Sequence, residues 1–189
     1  MSVRESILAA GMKLLREKGI AALTQPQVAK AAGIKQSHLT YYFPARADLL
    51  LAIAEAAIGA TMENIAARLE KSPRRATLAA TVAAVMTAGI PTRVVIGLIV
   101  AADADPQIRK PLRKLLRHVR GRVQALLSKA GPDASDEAAL LFHAAVVGLA
   151  VMHQAQKNAR SAREVKEGVG AMLRLLAPRN QYHAMKGSK

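Results

Sequence analysis

Between Gln36 and Phe43 the chain reads QSHLTYYF. Leu39 and Phe43 stand four residues apart, so on a helix they share one face and point inward. That leaves Gln36, Ser37, His38, Thr40 and Tyr41 on the outward face, and nearly all of them can hydrogen-bond to bases or phosphates. Gln36 is the best equipped, because a carboxamide can pair bidentately with adenine. The competing reading is an ordinary helical turn with a solvated polar face, and an exposed histidine such as His38 is commonly no more than that. A helix this short is not stable alone, so the chemistry depends on the elements that hold it.

Those elements are legible on either side. Ile7, Leu8, Gly11, Met12 and Leu15 recur at helical spacing and Gly19 is a stop, which predicts a first helix over Val3–Lys18. Thr24 followed by Gln25-Pro26-Gln27 has the form of a capping box with proline in the first turn, and Gly33 ends the short helix that it opens. A second short helix spans Gln36–Tyr42 and Pro44 closes it. Two short helices joined by a tight turn at Gly33 have the layout of a helix-turn-helix, whose second helix enters the DNA major groove. After Ala45 a long helix carries Leu49, Leu50, Ile53, Ala54, Ala57 and Ile58 on one side and extends to Glu70.

Beyond it, Ser72-Pro73 reads as cap plus first turn of a helix running to Gly89, Pro91 begins a segment to Ala102, and Asp105-Pro106 starts another. The last of these carries a stripe of Leu112, Leu115, Leu116, Val119, Val123, Leu126 and Leu127 and ends at Gly131-Pro132. Helices over Ser135–Asn158 and Ala162–Leu176 follow, and the residues after 178 form a loose tail. The expectation is an all-α chain of about nine helices: a three-helix helix-turn-helix domain over 1–46, a larger helical domain over 47–178, and a tail over 179–189.

Composition agrees. The apolar mass is Ala, Leu, Ile, Val and Met, with aromatics at only 3%, and Ala and Leu favour helix. A formal net charge of +15 on 189 residues makes a polyanion the natural partner: nucleic acid, an anionic membrane surface or an acidic protein. The absence of cysteine excludes disulfides, thiolate metal sites and a cysteine nucleophile. The most apolar stretches, Ala76–Ile90, Val94–Ala102 and Ala138–Met152, fall short of the roughly 20 residues of a spanning helix. They are predicted to be buried helices of a cytoplasmic protein with no membrane partner.

The stretch LTQPQVAKAAGIKQSHLTYYFPARADLLLAI resembles the DNA-binding segment of the TetR family of bacterial transcription regulators. The shared pattern is Thr24 as cap, Ala32-Gly33-Ile34 in the turn, Leu39 to Phe43, Arg46, and the pair Leu49-Leu50. The resemblance covers about a quarter of the chain closely. It implies that Thr24 and Gln25 meet the DNA backbone at a helix N-terminus, that Gln36, Ser37 and His38 face base edges, that Tyr41 and Tyr42 contact phosphates or thymine methyls, and that Arg46 anchors a phosphate. Two positions depart from the pattern. Thr40 stands where the family most often has tyrosine, and Lys35, where a capping serine is common, loses the cap but adds a charge that reaches for the backbone.

The same resemblance implies that the last two helices build a homodimer interface, for which Leu140, Ala144, Val147, Gly148 and Val151, with Leu173 and Leu176, are suited. It further implies that the middle helices enclose a pocket for a small-molecule effector of unknown identity, with Val82, Val85, Met86, Ile90, Arg93, Val94, Leu98, Met152 and His153 as candidate wall. For each wall residue plain core packing is the competing role. The function so implied is a ligand-responsive, sequence-specific regulator, a repressor that binds a palindromic operator in double-stranded DNA as a dimer.

No enzyme or cofactor reading competes. His143 and His153 are ten apart and do not face the same way on a helix. Asp103, Asp105 and His118 are too sparse for a metal site, and no P-loop, dinucleotide turn or nucleophile elbow occurs. The basic run from Arg109 to Lys129 contains no acid. It reads first as a solvated face, with a second polyanion contact or attraction of an anionic effector as alternatives. An acidic partner or a membrane bound through that face is the function in a different class.

Overall fold

In a computed structural model, residues 2–177 are described, and among them the chain is helical, without strands. Nine α-helices follow one another: α1 (Val3–Lys18), α2 (Gln25–Ala32), α3 (Gln36–Tyr42), α4 (Arg46–Lys71), α5 (Arg75–Ala88), α6 (Ile90–Ala104), α7 (Arg109–Ala130), α8 (Asp136–Gln156) and α9 (Ala159–Leu175), with 3-10 turns over Ile20–Ala22 and Pro106–Ile108. The tail expected over 179–189 lies outside the described residues. The all-α expectation therefore holds. By compactness the chain forms two units, Met1–Thr61 with Gly89–Arg117, and Met62–Ala88 with His118 onward. That division groups residues 89–117 with the N-terminal helices, whereas the sequence suggests a boundary at residue 46.

In the first unit α1 lies on α2, α2 on α3, and α6 touches the 3-10 turn at Ile20–Ala22. Ile7, Leu15, Leu23, Val28, Leu39, Leu49 and Ile53 are fully buried. Gly11 makes the α1–α4 approach close. A Cβ at this position would stand 2.4 Å from Ile53 Cδ1, so the Ile53 side chain of α4 packs directly on the α1 backbone there. Gly97 does the same for α6, where a Cβ would stand 2.4 Å from Ile20 Cγ1.

In the second unit α5, α8 and α9 pack against one another, and Gly168 lets α9 approach Leu149. His153 is buried and its Nδ1 pairs with Ser161 Oγ at 2.7 Å, joining α8 to the first turn of α9. Start signals were less local at α5. Ser72 Oγ pairs with Thr77 Oγ1 at 2.9 Å, and the helix begins at Arg75 rather than behind a Ser72 cap.

His143 on α8 is largely desolvated, and burial first, then the positive charge of Arg120, push its pKa below the ordinary 6.5. The neutral ring is thus preferred in the folded chain, and the unfolded chain takes up the proton more readily. Stability is complete above the ordinary value and is lost as pH falls from there toward the lowered one. We expect the melting temperature to drop as pH falls below the ordinary value of 6.5, and His143→Gln to shrink that drop. An identical pH profile in the variant would contradict the assignment.

One expectation about membranes is corrected. Two described helices, α4 and α8, are long and apolar enough to cross a bilayer, with 18-residue windows of mean hydropathy 1.4 and 1.6, and α5 with the bent segment after it would make a third if counted as one span. The stretch Ala138–Met152 read from the sequence is shorter than α8 because it stops at polar residues that lie inside the helix, and α4 is not among the stretches. What sets the two helices apart is coverage. Leu49, Leu50, Ile53, Ala57, Ile65 and Leu69 of α4 are buried, whereas α8 keeps an apolar stripe in the open.

Candidate nucleic-acid interface

The polar residues singled out in the sequence emerge on one surface because α3 is held from behind. Leu39 is its one buried residue, Phe43 just beyond is buried too, and the Arg4 guanidinium lies 5.6 Å from the Phe43 ring centroid. Lys35, Gln36, Ser37, His38 and Tyr41 are exposed, Tyr41 to 80%. The His38 and Tyr42 rings meet at a tilt of 47° with centroids 5.6 Å apart, and Tyr41 meets Tyr42 edge-on at 5.3 Å. These rings lie against one another along the outer side of α3, and the face offered to a partner carries donors and acceptors.

The turn between α2 and α3 follows from Gly33, whose left-handed backbone (φ 69°) satisfies the carbonyls of Ala29 and Lys30 at the end of α2. Thr24 caps α2 by accepting from the Gln27 N–H at 3.4 Å. Lys35 occupies the cap position of α3 without a side-chain cap. The first amides of α3 therefore carry no protein acceptor from that side chain, and the lysine itself is exposed.

Three candidate contacts are already engaged within the chain. Gln25 donates from Nε2 to the Phe43 carbonyl at 2.8 Å, so its amide ties the start of α2 to the end of α3 and is a positioning group rather than a free DNA donor. Arg46 donates from Nε to the Leu23 carbonyl at 3.3 Å, which fixes its stem while its remaining guanidinium donors stay at the exposed start of α4. Thr40 returns its hydroxyl to the Gln36 carbonyl at 2.9 Å and is half-buried. No local signal announces the Gln25 and Arg46 ties, because their partners lie 18 and 23 residues away. Arg4 was missed for the same reason.

Comparison with known proteins fits this geometry. Residues 7–53 match the family described as bacterial regulatory proteins, tetR family. The HTH-type transcriptional regulator CymR of Pseudomonas putida is 32% identical over 168 residues, 84% of this chain and 82% of CymR. The chain belongs to the TetR family. It is accordingly a DNA-binding transcription regulator, and its relatives are regulators rather than enzymes. Solved structures share the fold: a TetR transcription regulator from Haloarcula marismortui superposes with a TM-score of 0.69 at 14% identity, covering 93% of this chain and 98% of that one. The multidrug binding protein EbrR, complexed with imidazole, superposes at 0.68 and 20% identity, covering 92% and 96%.

The candidate effector wall of this TetR-family chain draws residues from both units. Arg93, Val94 and Leu98 belong to the first unit; Val82, Val85, Met86, Met152 and His153 belong to the second. Val82, Met86, Val94, Leu98 and His153 are buried, Val85 and Arg93 are half-buried, and the Ile90 side chain lies outside the described ones. Met152 is 57% exposed and is not a wall residue of a pocket inside the chain. It neighbours His153 on α8, and successive helical residues point about 100° apart, which leaves Met152 outside while His153 is buried. An open cleft of about 800 Å³ is lined by Leu14, Lys18, Gln27 and Lys30, with Ala21, Ala22 and Ala31.

The candidate interface residues on α8 are more coherent. Leu140, Ala144, Gly148 and Val151 are exposed and Val147 is half-exposed, joined by Leu141 and Met152. Leu173, in contrast, is 2% exposed and belongs to the core between α9 and its neighbours. Leu176 is half-exposed and its carbonyl accepts from the Asp133 N–H.

Proposed function

We propose that this regulator is a ligand-responsive repressor that binds a palindromic operator as a homodimer in the cytoplasm. One α3 would serve each half-site, with half-site centres about 34–36 Å apart or a multiple of that. The observation that carries the reading is the exposed face of Gln36, Ser37, His38 and Tyr41 on a helix anchored by Leu39 and Phe43. Thr24, Lys35, Tyr42 and Arg46 flank that face as backbone contacts, with Gln25 and Thr40 shaping it from within the chain.

Dimerisation is supported by α8, whose open apolar stripe runs from Leu140 through Ala144 and Gly148 to Val151 and Met152. Such a stripe calls for a covering surface, and two-fold operators are matched by two-fold proteins. A small-molecule effector is supported by the company of this fold, EbrR having been solved with imidazole. Binding of the effector within the larger helical part, over 47–178, would favour a dimer whose recognition helices no longer match the operator. DNA would then be released.

The test is a gel shift on the DNA upstream of the regulator's own gene. Gln36→Ala and Tyr41→Ala are each expected to weaken sequence-specific retention, Gln36→Ala by about 1–3 kcal/mol, the worth of a bidentate base contact. Wild-type retention that both variants reproduce would refute the assignment of this face to DNA.

A further inference from the structure

The first half of α7 carries Lys110, Arg113, Lys114 and Arg117, all exposed. At about 100° per residue they fall within roughly a 100° arc of the helix, over about 10 Å of its length. Among the described residues none of the four enters a salt bridge or side-chain hydrogen bond. The ion pairs described are Lys129 with Glu70 and Arg160 with Glu164, and Arg109 beside the cluster folds its Nε back onto the Ala102 carbonyl at 3.2 Å. The nearest acids along the chain, Asp103 and Asp105, precede the helix, and Asp105 is occupied in capping the turn before it by accepting from the Gln107 N–H.

The placement is electrostatically unfavourable in isolation. The first turn of α7 contains no acid, so Arg109 and Lys110 lie near the positive end of the helix dipole, where a cation is disfavoured. An anionic partner reverses that sign. The second observation is where the cluster sits: residues 89–117 belong to the same compact unit as α1, α2 and α3, so the four cations and the DNA-reading helix are parts of one body.

We infer that the Lys110–Arg113–Lys114–Arg117 face is a second DNA contact, which meets phosphates of the duplex without reading sequence. The inference rests on the chain binding DNA through α3. B-DNA carries about one negative charge per 1.7 Å of axis, a density that a 10 Å row of four cations can engage. The face would add affinity and salt dependence while leaving discrimination between sequences to α3.

The experiment measures binding of the full chain to a 40-base-pair duplex of mixed sequence across a salt series. It compares wild type with Lys110→Gln/Arg113→Gln/Arg117→Gln and with a control of equal charge loss on exposed residues of the other unit, Arg68→Gln/Lys71→Gln/Arg74→Gln. Each neutralised phosphate contact lowers the slope of log K against log salt by about 0.9. The α7 triple is expected to lower it by about 2 to 3 and the control by less than about 1. Circular dichroism confirms that both variants keep their helical content. Equal slopes in all three proteins, or equal reductions in the two triples, would overturn the inference. So would an unchanged DNA slope together with lost sedimentation on vesicles containing phosphatidylglycerol, which would assign the face to a membrane. Absence of wild-type binding to any duplex would be a failure of the α3 reading instead.

Discussion

Gly148→Glu is expected to break the proposed dimer while leaving the chain folded. In the single chain a Cβ at Gly148 meets nothing within 4 Å, and the residue is exposed on α8. The substitution therefore leaves the fold intact and favours the helix, since glycine in a helix interior is about 0.8–1.0 kcal/mol worse than alanine and glutamate ranks close behind alanine. In a dimer closed over α8 the same carboxylate would be buried twice across a two-fold axis, without a partner and in a stripe of alanine, leucine and valine. Desolvating each ion costs several kcal/mol, and about 4 kcal/mol is already a thousandfold in the dissociation constant. Sedimentation should show wild type as dimer and the variant as monomer at the same concentration, with operator retention lost in parallel. A dimeric variant would mean that another surface holds the two copies together.

Leu39→Ala carries the second large effect. Leu39 is completely buried and is the only buried residue of the seven in α3. Truncating a buried leucine costs about 2–5 kcal/mol, and here the loss falls on a helix with no other apolar anchor of its own. The outcome expected is a chain whose second unit still melts cooperatively, while the amides of α3 exchange rapidly and duplex binding disappears. If duplex affinity and α3 protection both match wild type, α3 is held by something other than Leu39.

These two residues also mark what could be read before any coordinates. The limits of α1 and α3 follow from signals within a turn of the helix ends, Gly19 behind Lys18 and Gly33 and Pro44 on either side of Gln36–Tyr42, and the structure has them at those positions. Inward Leu39 and outward Gln36 follow from the helical period alone. Membership of the wall around an effector does not follow from it. Apolarity marks Val82, Leu98 and Met152 alike, but only tertiary packing distinguishes a buried valine from a methionine left on the surface. Leu173 illustrates the converse: an apolar residue on the last helix is equally suited to a dimer seam and to its own core, and α5 and α8 pack on α9 and take it inside. The cross-ties of Gln25 and Arg46 were invisible because a hydrogen bond between distant segments leaves no periodic trace.

Those ties bear on how the DNA-reading element comes apart. Gln25 clasps the end of α3 from the start of α2, and Arg46 clasps Leu23, two residues before α2, from the start of α4. No one of these three segments can fray without breaking a bond that belongs to another. Their amides should therefore exchange with solvent through shared opening events, at closely similar free energies, rather than in a gradient from the ends inward.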